Sequence, residues 1–197
     1  KAGAYFIYVK DTKGCETSIC VNIYQPAKLN LYAAKRDVKC YGGYDGSITA
    51  TFGGGKPPYQ GKLNNGAYAL ATSPKAFTGL AAGTHKVYVK DANGCENYVS
   101  VVIYQPAKIN LYLSKKDVKC YGGNDGSITA TFNGGKPPYW IKLGPTGTYI
   151  PALMPKVFTG LKAGTYKVYI KDALGCEVYQ SITIAQPAVL ACKVLPY

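Results

Sequence analysis

The fold is decided by the stretch TYKVYIK at residues 165–171, in which two kinds of side chain alternate. Tyr166, Val168 and Ile170 fall on one face of an extended chain, and the residues between them fall on the other. Alternation with a period of two predicts an antiparallel strand with one buried face. The stretch HKVYVK at residues 85–90 has the same alternation. We therefore predict an all-β fold made of antiparallel sheets.

A turn signal, Asp-x-x-Gly, follows these strands. It occurs at residues 11–14, 91–94 and 172–175. Its glycine suits the left-handed position of a short hairpin loop. Further turn signals divide the chain into short strands, roughly six or seven in every 80 residues or so, as in small sandwiches. The pattern predicts immunoglobulin-like antiparallel β-sandwich modules.

The sequence repeats itself at a spacing of about 80 residues, a length typical of a small sandwich domain. The string DVKCYGG at residues 37–43 recurs at residues 117–123, and GGKPPY at residues 54–59 recurs at residues 134–139. Later landmarks, such as Cys95 and Cys176, are one residue further apart than these. The additional residue falls between Leu143 and Pro155, so we predict a tolerant surface loop there.

The repeat divides the chain into four predicted segments. Residues 1–27 match the C-terminal part of a preceding repeat, 28–107 and 108–187 are complete repeats, and 188–197 match the first strand of a following repeat. Each joint is a short Gln-Pro-Ala segment, whose proline predicts a semi-rigid array. Because an isolated hairpin is marginal in water, the incomplete segments indicate either a piece of a longer array or completion by another molecule.

The charge of the chain suggests the chemistry of its partners. The net charge is +13, but the basic residues are spread along the chain and Arg36 is the only arginine. Dispersed lysines favour diffuse attraction to anionic glycans or surfaces over the bidentate contacts that read nucleic acids. No apolar run is long enough to cross a membrane as a helix. We predict no nucleic-acid partner and no direct insertion into a membrane.

Five motifs in this order resemble the SprB-type repeat of large surface adhesins of gliding Bacteroidetes and related secreted proteins. They are VKCYGGNDGSI at residues 118–128, GGKPPY at 134–139, LKAGTY at 161–166, KDALGC at 171–176 and the Gln-Pro pair at 186–187. The resemblance implies an extracellular or cell-surface, non-catalytic protein that forms arrays and needs no cofactor. The expected function is a structural or adhesive segment of a filament, in which further copies of the module follow end to end. The alternative is an array of carbohydrate-binding modules that recognise anionic glycans.

The cysteines indicate an oxidising compartment. Each complete repeat has one cysteine before its second strand and one after the glycine of its hairpin, so we predict disulfides Cys40–Cys95 and Cys120–Cys176. On the loop-entropy model each such bond contributes about 4 kcal/mol. The other cysteines, Cys15, Cys20 and Cys192, are candidates for links between modules or between chains. A metal site is disfavoured, because the chain has no Cys-x-x-Cys and only one histidine.

Residues that resemble catalytic or calcium-binding groups have structural interpretations. His85 aligns with Tyr5 and Tyr166, in a turn that resembles the tyrosine corner of immunoglobulin-like folds, so we predict a structural role and no catalytic residue. Asp45 and Asp125 each precede a glycine. Their surroundings supply too few carboxylates for a calcium loop, and turns are favoured.

One recurrent feature suggests a contact surface. The residues between the core positions of two equivalent strands are lysine and tyrosine: Lys86, Tyr88 and Lys90, and then Lys167, Tyr169 and Lys171. Phenol rings offer flat contact area and ammonium groups offer charge. Trp140 follows the second Pro-Pro-Tyr and is a candidate for stacking on a sugar or for packing at a sheet edge. The alternative for the whole stripe is a solvated strand face.

Overall fold

The computed structural model describes residues 1–192, and their contacts divide the chain into two compact units. The first unit contains Lys1–Arg36, Ser47–Thr78 and Gly83–Val102. The second contains Asp37–Gly46, Gly79–Ala82 and the residues from Ile103 onward. The predicted repeat boundaries at residues 28, 108 and 188 remain predictions, because this division follows contacts and not the repeat.

The strands of the first unit form a hairpin and two sheets. The hairpin pairs β1 (Gly3–Lys10) with β2 (Glu16–Ile23). The three-stranded sheet contains β3 (Asn30–Arg36), β4 (Gly46–Gly53) and β7 (Lys75–Leu80), in the order β3-β4-β7. The four-stranded sheet contains β5 (Tyr59–Leu63), β6 (Ala69–Ala71), β8 (Gly83–Lys90) and β9 (Glu96–Ile103), in the order β6-β5-β8-β9.

The second unit repeats the two sheets with the same strand order. The three-stranded sheet, β10-β11-β14, contains β10 (Asn110–Lys116), β11 (Gly126–Asn133) and β14 (Lys156–Leu161). The four-stranded sheet, β13-β12-β15-β16, contains β12 (Trp140–Leu143), β13 (Ile150–Pro151), β15 (Gly164–Lys171) and β16 (Glu177–Ile184). Seven strands in two antiparallel sheets make an immunoglobulin-like sandwich, so the predicted fold class is confirmed.

The core follows the alternation seen in the sequence. In β15, Val168 and Ile170 are fully buried, and Ile128 and Ala130 are equally buried in β11 of the facing sheet. In the first unit Ile48, Ala50, Val87 and Val89 are buried to the same extent. Apolar side chains from the two sheets of each unit therefore meet in one layer, whose burial supplies the main driving force for folding.

The hairpin of residues 1–27 lacks such a layer. Every residue of β1 and β2 is exposed, including Ile7 at 53% and Val9 at 61%, although their counterparts Val168 and Ile170 are fully buried. At the other end, residues 188–192 form no strand, and Val189 and Leu190 are exposed. The predicted first strand at 188–197 stays a prediction, since its remainder, residues 193–197 with Leu195, lies outside the described residues.

A buried carboxylate ties the hairpin of each sandwich to the turn that precedes its third strand. Asp172 is 1% exposed, and its Oδ1 accepts hydrogen bonds from the backbone N–H groups of Leu174 and Cys176 at 2.9 Å. Its Oδ2 accepts a third from Lys136 at 3.0 Å. This turn is tight: Gly134 has a φ of 74°, and a Cβ there would lie 1.8 Å from the carbonyl oxygen of Lys108.

Replacing this carboxylate should destabilise the second unit. In Asp172→Asn an amide NH₂ replaces one acceptor, so we expect a loss of about 3 kcal/mol and a melting temperature of this unit lower by roughly 12–24 degrees. Asp11→Asn is a matched control, since Asp11 accepts the equivalent bonds from Lys13 and Cys15 in the exposed hairpin. Equal melting temperatures for Asp172→Asn and Asp11→Asn in thermal denaturation would contradict this role.

Candidate functional site

The loop that carries Cys40 is held to the chain that follows β9. The backbone N–H of Val38 donates to the carbonyl of Tyr104 at 3.0 Å, and Oδ1 of Asp37 accepts the N–H of Tyr104 at 2.8 Å. Oε1 of Gln105 accepts the N–H of Gly42 at 2.7 Å. The glutamine of the Gln-Pro-Ala joint at residues 105–107 therefore holds the loop that carries Cys40.

The disulfide of the structure joins Cys40 to Cys176, with a Cα–Cα distance of 5.5 Å. Both cysteines belong to the second unit, because the segment Asp37–Gly46 is part of it. The predicted pairs Cys40–Cys95 and Cys120–Cys176 are therefore wrong. The cysteines with free, exposed thiols among the described residues are Cys15, Cys20, Cys95, Cys120 and Cys192.

Strand geometry explains the correction. Cys176 immediately precedes β16, whereas the loop of Cys120 is bound to Ala185 and Gln186, which follow it. The eight residues of β16 span about 26 Å, far beyond the reach of a disulfide. Cys95 likewise stands at the start of β9, and the loop of Cys40 is bound to Tyr104 and Gln105 after its end. The two cysteines of one repeat thus mark opposite ends of its last strand.

The predicted lysine and tyrosine stripe is part of a larger ordered surface. In the second unit the ammonium group of Lys142 lies 4.7 Å from the ring centroid of Tyr149 and 4.8 Å from that of Tyr169. Lys171 lies 4.3 Å from the Tyr149 ring, and Lys167 lies 5.2 Å from the Tyr179 ring. These are cation–π distances, so each ammonium group is held over a phenol face.

The first unit repeats this arrangement. Lys62 lies 4.6 Å from the ring centroids of both Tyr68 and Tyr88, and Lys86 lies 5.7 Å from that of Tyr98. The rings of Tyr88 and Tyr98 are 5.5 Å apart, and those of Tyr169 and Tyr179 are 5.2 Å apart. We call this surface the Lys–Tyr face. It contains Lys62, Tyr68, Lys86, Tyr88, Lys90 and Tyr98 in the first unit, and Lys142, Tyr149, Lys167, Tyr169, Lys171 and Tyr179 in the second.

A carboxylate anchors one tyrosine of each face. The hydroxyl of Tyr68 donates to Glu96, and that of Tyr149 donates to Glu177. Burial of the ring, followed by the hydrogen bond to the carboxylate, raises the pKa of each of these two phenols above its ordinary value. The hydrogen bond to the carboxylate restrains each ring.

Sequence reasoning found the stripe on β8 and β15 but missed its neighbours. Lys62 pairs with Tyr88 across β5 and β8, and Lys142 pairs with Tyr169 across β12 and β15. The signal was present, because these lysines and the tyrosines of β9 and β16 also recur in the repeat. Without the strand order, however, their position beside the stripe could not be assigned.

Trp140 lies at the margin of the Lys–Tyr face. It is half-buried and pairs with Lys171 across β12 and β15. Together with Tyr149 and Lys171 it lines a shallow pocket, so the structure brings the predicted tryptophan next to the predicted stripe. The first unit has Gln60 at this position, paired with Lys90.

The remaining candidate residues hold turns. The hydroxyl of Tyr166 donates to the carbonyl of Lys162 at 2.9 Å, as expected for a tyrosine corner, and half-buried His85 contacts Asn64 at 3.3 Å. Asp45 and Asp125 each accept a backbone N–H at 3.1 Å, from Lys39 and Lys119. No group of three or more potential metal ligands occurs within residues 1–192. That part of the chain also contains no helix long and apolar enough to cross a membrane.

Backbone hydrogen bonds hold two carboxylates in their ionised form. The N–H of Lys56 lowers the pKa of Asp91 most, and the N–H groups of Cys95 and Asn93 add to the effect. The N–H of Ala185 is the largest influence that lowers the pKa of Asp117, ahead of Lys115 at 2.9 Å.

The fold and the recurrent face define tandem immunoglobulin-like sandwiches. The family model of the SprB repeat matches residues 33–68 and 113–145, one segment in each of the two repeats, and this agrees with the resemblance that the sequence motifs indicated. The match supports an adhesin-type repeat segment.

Comparison with solved structures returns immunoglobulin domains. The N-terminal eight domains of Down Syndrome Cell Adhesion Molecule match at 13% identity and a TM-score of 0.48, over 95% of this chain and 28% of that one. The amphioxus IgVJ-C2 molecule matches at 14% identity and a TM-score of 0.31, over 83% of this chain and 99% of that one. The fold class rests on the strand pairing and not on these values. A sequence search of curated proteins gives no match.

The observed disulfide predicts which cysteines matter for stability. Its two cysteines are 136 residues apart, so the loop-entropy model gives about 5 kcal/mol, or a fall in melting temperature of roughly ten degrees or more in the double variant Cys40→Ser, Cys176→Ser. The matched control Cys95→Ser, Cys120→Ser should melt like the unaltered 197-residue chain. A comparable fall in both double variants would instead support the pairing predicted from the sequence, because each variant removes one partner of both predicted bonds.

Proposed function

We propose that the chain is a structural and adhesive segment of an extracellular or cell-surface filament, and that the Lys–Tyr face is its contact surface. One observation carries the proposal: the same lysines and tyrosines stand at matched positions of both units and make the same ring contacts. A string of such modules would present identical faces at regular intervals. Many weak contacts of this kind add up to strong attachment.

The chemistry of the face suits an anionic polymer. Lys86 and Lys167 are exposed, and the rings beneath them supply flat apolar area that sugar rings can cover. Because each lysine is already held over a ring, less side-chain entropy is lost on binding. The net charge of +13 adds long-range attraction to sulfated or carboxylated chains.

A structural role without catalysis accounts for the polar residues that recur. Asp45, Asp125, Gln105 and Gln186 bind backbone groups of turns. The disulfide between Cys40 and Cys176 suits an oxidising location outside the cytoplasm. Both features support a module selected for rigidity.

Neutralising the face should weaken attachment without unfolding the protein. The variant Lys86, Lys90, Lys167 and Lys171→Gln, which changes two exposed and two half-buried lysines, should elute from a heparin column at lower salt than the unaltered chain. A surface charge contributes under about 1 kcal/mol to stability but adds to surface attraction. The matched control changes four exposed lysines elsewhere: Lys13, Lys28, Lys116 and Lys162→Gln.

The control separates a site from net charge. A larger shift for the face variant supports the proposal, whereas equal shifts for both variants would mean that only total charge matters. Thermal denaturation of both variants checks that the fold is retained.

Trp140 favours a second candidate function, an array of carbohydrate-binding modules. An indole beside Tyr149 and Lys171 provides the stacking surface and the cation that a sugar acid requires. On a glycan array at low and at high salt, binding to particular sugars that survives high salt and is lost in Trp140→Ala would support this function. Binding that disappears at high salt for every glycan would support the filament segment instead.

A further inference from the structure

Cys40 reaches Cys176 through a groove beside the turn that joins β15 and β16. The groove is lined on one side by the Gln-Pro-Ala joint and the chain after it, Pro106, Ala107, Lys108 and Ile109, and on the other by Glu177 and Val178. Cys40 and Tyr41 complete its lining, and Sγ of Cys176 lies 3.3 Å from the carbonyl oxygen of Lys39. We call this the hairpin groove, and the segment at residues 40–43 the cysteine loop.

The first unit has the same groove without a cysteine loop in it. Its lining residues are Pro26, Ala27, Lys28 and Leu29 on one side and Glu96 and Asn97 on the other, with Cys95 between them. Cys95 is positioned like Cys176, since its N–H donates to Asp91 at 2.8 Å and that of Cys176 donates to Asp172 at 2.9 Å. As far as the described residues go, no second cysteine lines this groove, and Cys95 carries an exposed thiol.

The cysteine loop, which supplies the other cysteine of the disulfide, also occurs twice. The cysteine loop around Cys120 has the same bonds as that around Cys40: the N–H of Gly122 donates to Gln186 at 3.0 Å, and the N–H of Gly123 donates to the carbonyl of Cys120 at 3.0 Å. Tyr121 follows Cys120 as Tyr41 follows Cys40, and both the thiol and the phenol ring are exposed. This loop therefore already has the conformation in which Cys40 is bonded, so little ordering is needed for it to bind.

We infer that Cys95 and Cys120 are open halves of the link seen between Cys40 and Cys176, and that a further copy of the repeat supplies each missing half. The cysteine loop of one repeat bonds to the hairpin cysteine of the next. Cys95 thus takes the cysteine loop of another copy into its groove, and Cys120 enters the groove of another copy. Cys15, whose N–H donates to Asp11 at 2.9 Å, is a third hairpin cysteine of this kind. This assembly goes beyond the proposed function and does not depend on the Lys–Tyr face.

The link forms by thiol–disulfide exchange with a small disulfide such as oxidised glutathione. The thiolate of Cys120 attacks one sulfur of that disulfide and releases one thiol. The thiolate of the hairpin cysteine then attacks the mixed disulfide at the sulfur of Cys120 and releases the second thiol. The cysteine pair loses two protons and two electrons in total, and the small disulfide is reduced to two thiols.

The test uses the 197-residue protein, treated with oxidised glutathione at rising protein concentration. We expect linear oligomers on a non-reducing gel, and peptide mapping should find Cys120 of one copy bonded to Cys95 or Cys15 of another. Cys120→Ser should abolish the oligomers, and the matched control Cys20→Ser should leave them unchanged. Tyr121→Ala, which keeps the thiol but alters the inserted loop, should slow oligomer formation several-fold.

Four results would overturn the inference: no oligomers, oligomers that persist in Cys120→Ser, symmetric Cys95–Cys95 or Cys120–Cys120 bonds as the main product, or a normal rate in Tyr121→Ala. Heparin binding of the monomeric protein is measured separately. Loss of either property therefore identifies which of the two proposals has failed.

Discussion

A buried carboxylate is the constraint on which each sandwich depends. Asp91 and Asp172 each accept three backbone N–H groups, two from the hairpin of their own strands and one from the turn before the third strand. A carboxyl group so far from water is tolerated only because these donors replace its hydration. It joins segments that lie far apart in sequence, and so it sets the position of the hairpin cysteine as well as the closure of the core.

Side-chain hydrogen bonds to the backbone also position the two cysteines of a repeat. The aspartate fixes the cysteine at the start of the last strand, and the glutamine of the joint fixes the cysteine loop at the end of that strand. Since a strand of eight residues separates them, these two cysteines are too far apart to form a disulfide with each other. A bond within one repeat would have to bend the sandwich. The disulfide of the structure instead joins Cys40 to Cys176 within the second compact unit.

The sequence was sufficient for the fold class and insufficient for the cysteine pairing, for one physical reason. Alternation in β15 and the turn glycines are local properties, so Val168, Ile170 and the hairpin at residues 172–175 could be placed without any knowledge of neighbours. Pairing of Cys40 depends on which ends of which strands meet, and equal spacing in two repeats conceals that information. The Lys–Tyr face is intermediate: its central stripe follows from alternation, but Lys62 and Lys142 join it only through strand order.

The position of Trp140 has an optical consequence. It is the only tryptophan of the chain, it is half-buried in β12, and a lysine and a tyrosine lie beside it in the second unit. Indole emission therefore reports on the second unit alone, whereas the circular dichroism of the sheets averages over both. Following the two signals through one unfolding transition would separate the cooperative unfolding of one sandwich from that of the other, without any label.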